Sequence, residues 1–327
     1  MSFTAGVYSA SGTAAVPGAL TLLWESPLPF SIGASLGILA RGRRDPTVRV
    51  GPAEAWLAFH TPEGPATLQL TELPGPGGRV RARAWGPGAG AALEGVPDLL
   101  GERDDWTGFD APEFAAALPR LVAQTRRLHP GLRLPRTGRM LDSVVPVVLE
   151  QKVTTLEAHF AWRYLVTKFG TPAPGPAPAG LMLPPGAEQW RRIPSWDWHQ
   201  ARVDSHRSAT ILRASAAASG LERLAAEPLG PELTRRLCSV PGIGPWSAAE
   251  ILQRTHGAPD SVSVGDYHLA AYVGAALTGR RTDDAGMLAL LEPWRGHRQR
   301  VVRLIVLSGF RKPTFGPRLA PEDHRRR

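Results

Sequence analysis

One stretch constrains this chain more than any other: Val240-Pro241-Gly242-Ile243-Gly244-Pro245-Trp246, followed 22 residues beyond Gly244 by a lone acid, Asp266. Leu233, Leu237 and Val240 before it, and Ala249 and Leu252 after it, have the spacing of two short helices. Two glycines and a proline between them predict a tight hairpin, because Gly242 and Gly244 can take positive φ and bring bare backbone close to a ligand. The N–H groups there open the second helix, where the helix dipole favours an anion such as phosphate. Residues 261–269 read as an extended approach, a glycine break and a new helix, with Asp266 at its N-terminus. Singly, each piece is ordinary: Pro-Gly-x-Gly is a common helix–helix turn, and Asp is a common N-cap. In this order, a phosphate grip with a carboxylate fixed nearby implies chemistry on nucleic acid.

The charge agrees with a polyanionic partner. Lys and Arg number 38 against 29 Asp and Glu, a net charge of +9 and a pI near 10.6. Arginine predominates among the cations, which suits bidentate phosphate contacts. Cys238 is the single cysteine, which excludes intramolecular disulfides and a four-cysteine iron–sulfur cluster. No apolar run approaches a membrane span and the N-terminus lacks a secretory signal, so a cytoplasmic, nucleoid-associated protein is expected.

The 327 residues are enough for two or three domains. Residues 1–18 read as a loose leader. From 19 to 106, short β-like runs (20–24, 56–59, 66–70, 79–85) alternate with helices at 31–39 and within 86–101, an α+β pattern with antiparallel strands. Trp85-Gly86-Pro87-Gly88-Ala89-Gly90 imitates a dinucleotide fingerprint. Pro87 removes an N–H that a pyrophosphate would use, and no βαβ series follows, so it reads as a strand-to-helix junction. Residues 107–310 are helical. Phe114, Leu118, Leu121, Val122 and Leu128 make one amphipathic helix and 141–150 another, and the capping box Thr154-Thr155-Leu156-Glu157 opens a third. Residues 171–186 read as a Pro/Gly-rich insertion loop. Helices resume near Gln189, at 205–224, through the hairpin and at 296–307, before a basic tail at 311–327.

The hairpin, Trp246 and Val264-Gly265-Asp266-Tyr267 together resemble the helix-hairpin-helix (HhH-GPD) DNA glycosylase superfamily, and within it the 3-methyladenine DNA glycosylase II branch. That resemblance implies an N-terminal TATA-binding-protein-like α/β domain before the helical glycosylase region. It also implies a monomer acting on double-stranded DNA with damaged, alkylated bases in base-excision repair. Asp266 would be the catalytic carboxylate that stabilises positive charge on the deoxyribose as the base leaves, the base having first been flipped from the stack. Asp260, Asp283 and Asp284 rival it by proximity only. Bifunctional members carry a nucleophilic lysine where this chain has Trp246, so a monofunctional hydrolase is implied. The carbonyls of Cys238, Val240 and Ile243 match those that hold a structural Na+ or K+ in relatives, and no other cofactor is implied.

Gly242, Ile243 and Gly244 are expected to bind DNA. So are Gln151 and Lys152, which match a loop that fills the gap left by the flipped base, although Lys152 and Glu150 depart from that loop's usual apolar and small residues. For the base pocket the expected residues are Trp246 and Tyr267, which can stack a flat electron-poor base, with Glu250 and Arg303 departing from the branch's aromatic residues. A Glu250–Arg303 pair is one expected arrangement there. Two alternatives stand beside this reading: a glycosylase for another lesion class, bulky or oxidised, and a noncatalytic DNA-binding protein that has kept the hairpin. A nucleotide-dependent oxidoreductase rests only on the Gly86 segment.

Overall fold

The computed structural model describes residues 18–311. The expected leader, apart from its last residue, and the basic tail beyond Arg311 lie outside the described residues.

Strands β1 (Leu20–Ser26), β2 (Val48–Val50), β3 (Glu54–Thr61), β4 (Gly64–Glu72) and β5 (Gly78–Trp85) form one antiparallel sheet in the order β1-β5-β4-β3-β2. β3 and β4 are joined by Pro62-Glu63 alone, with Thr61 paired to Gly64, which fixes their register. Period-two alternation then sends Ala55, Leu57 and Phe59, Leu68 and Leu70, and Val80, Ala82 and Ala84 to one face. Helices α1 (Ile32–Leu36) and α2 (Ala89–Glu94) close that face through Ile32, Leu36, Ala89, Ala92 and Leu93. Each fully buried leucine here contributes about 2 kcal/mol. The opposite face takes Arg79, Arg81 and Arg83. Part of it is covered by the Pro/Gly-rich segment, which forms a small hairpin, β6 (Thr171–Pro172) with β7 (Met182–Leu183). Leu181 and Leu183 pack on Ala58, and Thr67 donates to the Pro174 carbonyl at 2.7 Å. The expected insertion loop is therefore an arm clamped onto the sheet.

Several expected boundaries move, for local reasons. β2 was not foreseen, being only three residues between Asp45-Pro46 and Gly51. The helix at 31–39 is α1 followed by a 3-10 turn, Gly37–Leu39. The helix through Phe114 and Leu128 is two pieces, Pro112–Ala116 and α3 (Arg120–Leu128), because Pro119 has no N–H to continue the first. The helix at 205–224 breaks at Ala217 into α6 (Ser205–Ala216) and a short turn of helix, Ala218–Arg223. At the fingerprint-like segment, a Cβ on Gly86 would lie 2.4 Å from the Pro65 carbonyl and one on Gly88 2.3 Å from Thr61 Oγ1. The glycines let strand and helix pack tightly and leave no room for a nucleotide.

The helical part has two cores. α4 (Met140–Leu149) is almost wholly buried and is surrounded by α5 (Thr155–Phe169), α6, α7 (Pro231–Cys238) and α8 (Pro245–Thr255). Thr154 and Glu157 close the expected capping box at the start of α5. The second core joins α3 to α9 (Leu269–Thr278), α10 (Asp284–Leu291) and α11 (Arg298–Leu307) through Val122, Val273, Met287, Leu291 and Val301. Buried ion pairs tie the layers: Arg41 of the sheet layer to Glu150 at 2.7 Å, and Asp104 to Arg300 of α11. A cleft opens between the two helical cores, roofed by the turn after α1.

Candidate active site in the interlobe cleft

The hairpin between α7 and α8 is built around one obligatory glycine. Gly242 has φ +99°, and a Cβ there would lie 2.0 Å from Thr210 Oγ1 on α6. Gly244 differs from expectation: its φ of −101° is open to any residue, and an added Cβ would meet nothing within 4 Å. Ile243 is buried in the α4–α8 core, and its N–H turns inward to the Val240 carbonyl at 2.9 Å. Gly244 caps α8 without a side-chain acceptor, and Pro245 has no N–H. Among the described residues the N–H groups of Trp246 and Ser247 are thus left unclaimed by a side-chain cap, the arrangement that favours an anion.

Gln151 also departs from expectation. Its amide nitrogen donates to the Gly242 carbonyl at 2.8 Å and to Ser247 Oγ at 2.9 Å, so it braces the hairpin instead of reaching outward. Lys152, next to it at the loop tip, has φ +54°, a backbone conformation non-glycine residues rarely adopt. Of the three carbonyls expected to face a cation, that of Val240 already accepts the Ile243 N–H, which leaves it one lone pair.

Gly265, with φ +88°, turns the chain into α9, and its N–H is held by Asp284 Oδ2 at 3.1 Å. The carboxylate of Asp266 then lies across the start of that helix. Oδ1 accepts the N–H groups of His268 and Leu269, both at 2.8 Å, and Oδ2 lies 3.3 Å from the indole Nε1 of Trp246. The three rival acids each hold structure. Asp260 grips Arg298 and the Gly296 N–H, Asp283 caps α10, and Asp284 anchors Gly265.

Asp266 edges a cleft of about 410 Å³, whose walls include Glu250, Gln253, Arg254, Ser263, Gln299 and Arg303. The expected Glu250–Arg303 pair does not form. Glu250 pairs with Arg254 one turn on, at 2.7 Å, and accepts from Ser263. Burial pushes the Glu250 carboxyl up, but the Arg254 charge, the two hydrogen bonds and the Arg41 charge outweigh it and hold it below its ordinary value. Arg303 instead donates to the Ala34 carbonyl of α1 at 2.9 Å. Burial, helped by the Arg254 charge, lowers its pKa to about 10, still cationic at neutral pH. Tyr267 is not a wall residue. It is 78% exposed and lies edge-on to His268. Trp246 is half-buried against the α4–α8 core and meets the cleft through Asp266.

The chain matches no profile of a known protein family. A region of 172 residues is 30% identical to the probable bifunctional transcriptional activator/DNA repair enzyme AlkA of Mycobacterium tuberculosis. That match covers 51% of this chain and 34% of the relative, so it spans about a third of the relative's length. Among solved structures, a 3-methyladenine DNA-glycosylase from Archaeoglobus fulgidus superposes with a TM-score of 0.67 at 15% identity, covering 88% of this chain and 99% of that one. MBOgg1, in complex with a low-affinity DNA ligand, superposes with a TM-score of 0.66 at 12% identity, covering 94% and 98%. This chain has the helix-hairpin-helix DNA glycosylase fold.

Within that fold, sequence reasoning missed Gln253, Arg254, Ser263, Tyr272 and Gln299 as wall residues. A signal existed for some: Gln253 and Arg254 follow Glu250 at i+3 and i+4, and Gln299 precedes Arg303 by four on α11, so each set shares a face. None existed for Ile38, whose place in the cleft depends on how the sheet layer docks. Among the described residues no helix is long and apolar enough to cross a membrane.

Proposed function

We propose that this chain is a monofunctional DNA glycosylase that flips a damaged base from duplex DNA and hydrolyses its glycosidic bond. The observation that carries the reading is the carboxylate of Asp266, held by the α9 N-terminus on one oxygen and facing the Trp246 indole with the other, at the edge of a cleft large enough for a base. As the bond breaks, positive charge grows on the sugar, and a fixed carboxylate stabilises it and orients the water that adds to C1′. Position 246 offers no amine, which favours direct hydrolysis over attack by the protein. The uncapped start of α8 is suited to a backbone phosphate, and Lys152 at its strained loop tip is suited to the helix near the vacated base. The AlkA relative is named as a DNA repair enzyme, which agrees with a role in base-excision repair.

The finer parts of the reading rest on resemblance. The five-stranded layer would be the TATA-binding-protein-like domain of the branch, the protein would act as a monomer, and the carbonyls of Cys238, Val240 and Ile243 would hold a monovalent cation that stiffens the hairpin. Resemblance to the 3-methyladenine branch points to alkylated bases; the charges in the cleft point elsewhere. The test is release of single lesions, alkylated and oxidised, from duplex DNA, with strands cut by alkali afterwards. Breakage without alkali would contradict the monofunctional reading, and no release of any lesion would contradict the glycosylase reading itself.

A further inference from the structure

The charges lining the cleft do not suit a cationic base. Both oxygens of Glu250 are engaged, one by Ser263 and the other by Arg254 at 2.7 Å, so Glu250 and Arg254 offset one another. Arg303 is left over. Its hydrogen bond is to the Ala34 carbonyl, which brings no countercharge, and among the described residues it has no ion-pair partner. The charges that act on it are those of Arg254 and Glu250. Asp266 stands apart from this group, tied to the α9 start and Trp246, where the sugar would lie.

One turn before Arg303 on the same helix, Gln299 also lines the cleft. It is 4% exposed, and among the described residues its side-chain carbonyl oxygen has no hydrogen-bond partner. An unpartnered acceptor in so buried a place carries a desolvation cost unless a ligand supplies a donor. Gln299 and Arg303 stand one turn apart on the same wall of the cleft, and an acceptor with a forked donor is the chemical complement of a ring N–H next to a C=O.

The chemistry of departure points the same way. When the glycosidic bond breaks, its electron pair goes to the base. A base made cationic by alkylation leaves as a neutral molecule and needs no help from positive charge. An uncharged base leaves as an anion; water adds its oxygen to C1′, and one of its protons ends on the base. A fixed guanidinium stabilises that developing anion and repels a cation on entry. Resting on the glycosylase reading, we infer that this cleft selects uncharged lactam purines, those with a ring N–H beside a carbonyl as in hypoxanthine and 8-oxoguanine, and disfavours cationic alkylpurines.

The test uses the full chain and duplexes carrying one hypoxanthine, 8-oxoguanine or 7-methylguanine, with enzyme-free depurination subtracted. 7-Methylguanine has the same ring N–H beside a carbonyl and differs by carrying the positive charge, so at least one uncharged lactam base should be released about tenfold or more faster than it. Arg303→Met should slow lactam release about tenfold or more and leave 7-methylguanine release unchanged or faster. Arg303→Lys keeps the charge but loses the fork, so it should slow lactam release while 7-methylguanine stays poor; it also serves where Arg303→Met fails to fold. Faster release of 7-methylguanine than of both lactams by the wild type, or an equal effect of Arg303→Met on both classes, would overturn the inference and leave the glycosylase reading standing. No release of any base, with Asp266→Asn indistinguishable from wild type, would bring down the reading beneath it.

Discussion

Asp266 Oδ2 lies 3.3 Å from the indole Nε1 of Trp246, while Oδ1 is held by the N–H groups of His268 and Leu269. The acid is thus fixed from two sides, by the helix that leaves the hairpin and by the backbone N–H groups that open α9. Trp246 follows Gly244-Pro245 directly, so the geometry of the hairpin sets the position of the carboxylate.

Asp266→Asn should lower base release by at least about a hundredfold, because the amide cannot stabilise positive charge on the sugar. The fold should persist, since the Asn side-chain oxygen can still accept from His268 and Leu269. DNA affinity should stay the same or tighten with one negative charge gone. Single-turnover release and fluorescence anisotropy on the same duplex separate the two effects.

Trp246→Phe keeps the ring packed on the α4–α8 core but removes the N–H aimed at Oδ2. Loss of one hydrogen bond to a charged acceptor should slow release by about tenfold with little change in Tm. For the wild type, borohydride added during turnover should trap no protein–DNA adduct. An adduct would mean that another amine, with Lys152 the first to examine, reaches C1′.

What was legible in the sequence was local. The hairpin, the capping box at Thr154 and Glu157, and Asp266 at the head of α9 each depend on residues within a turn or two of one another, where spacing and backbone chemistry decide. What was not legible depends on distant packing. Gln151 donates to the hairpin across 91 residues, and Arg303 reaches Ala34 across 269. Tyr267 is expected in the pocket because its ring can stack a base, but it sits in the turn before α9 and faces solvent. The Glu250–Arg254 pair was overlooked although its i,i+4 spacing was in plain view, since the choice between Arg254 and Arg303 turns on where α11 lies.

The two hairpin glycines should behave differently. Gly242→Ala imposes a Cβ 2.0 Å from Thr210 Oγ1 at a φ of +99°, so it should cost about 2–4 kcal/mol of stability and lower Tm by several degrees. Gly244→Ala meets open space and should leave Tm within a degree or two, yet weaken binding to every duplex alike if a phosphate sits at the start of α8. Wild-type binding should fall steeply with salt, each neutralised phosphate adding roughly −0.9 to the log–log slope. Unchanged affinity in Gly244→Ala would place the phosphate elsewhere.

The Glu250 carboxyl supplies a pH signature. Burial pushes it up, but Arg254, the bonds from Ser263 and Arg254, and the Arg41 charge win, so its folded pKa lies below the ordinary 4.5. A carboxyl lowered in the fold contributes stability that is present above its unfolded value and lost as pH falls through its folded one. Glu250→Gln keeps the shape, removes the charge and leaves Arg254 without its partner. At pH 7 the variant should be less stable than wild type by about 2 kcal/mol in urea titrations. As pH falls from 4.5 through the lower folded value the gap should narrow, because the carboxyl is protonated first in the unfolded chain and then in the fold, where it resembles the amide. A gap that stays constant from pH 7 down to the acid transition would show that Glu250 is not ionised in the fold, and the offset of Arg254 that leaves Arg303 as the unmatched cation would fail with it.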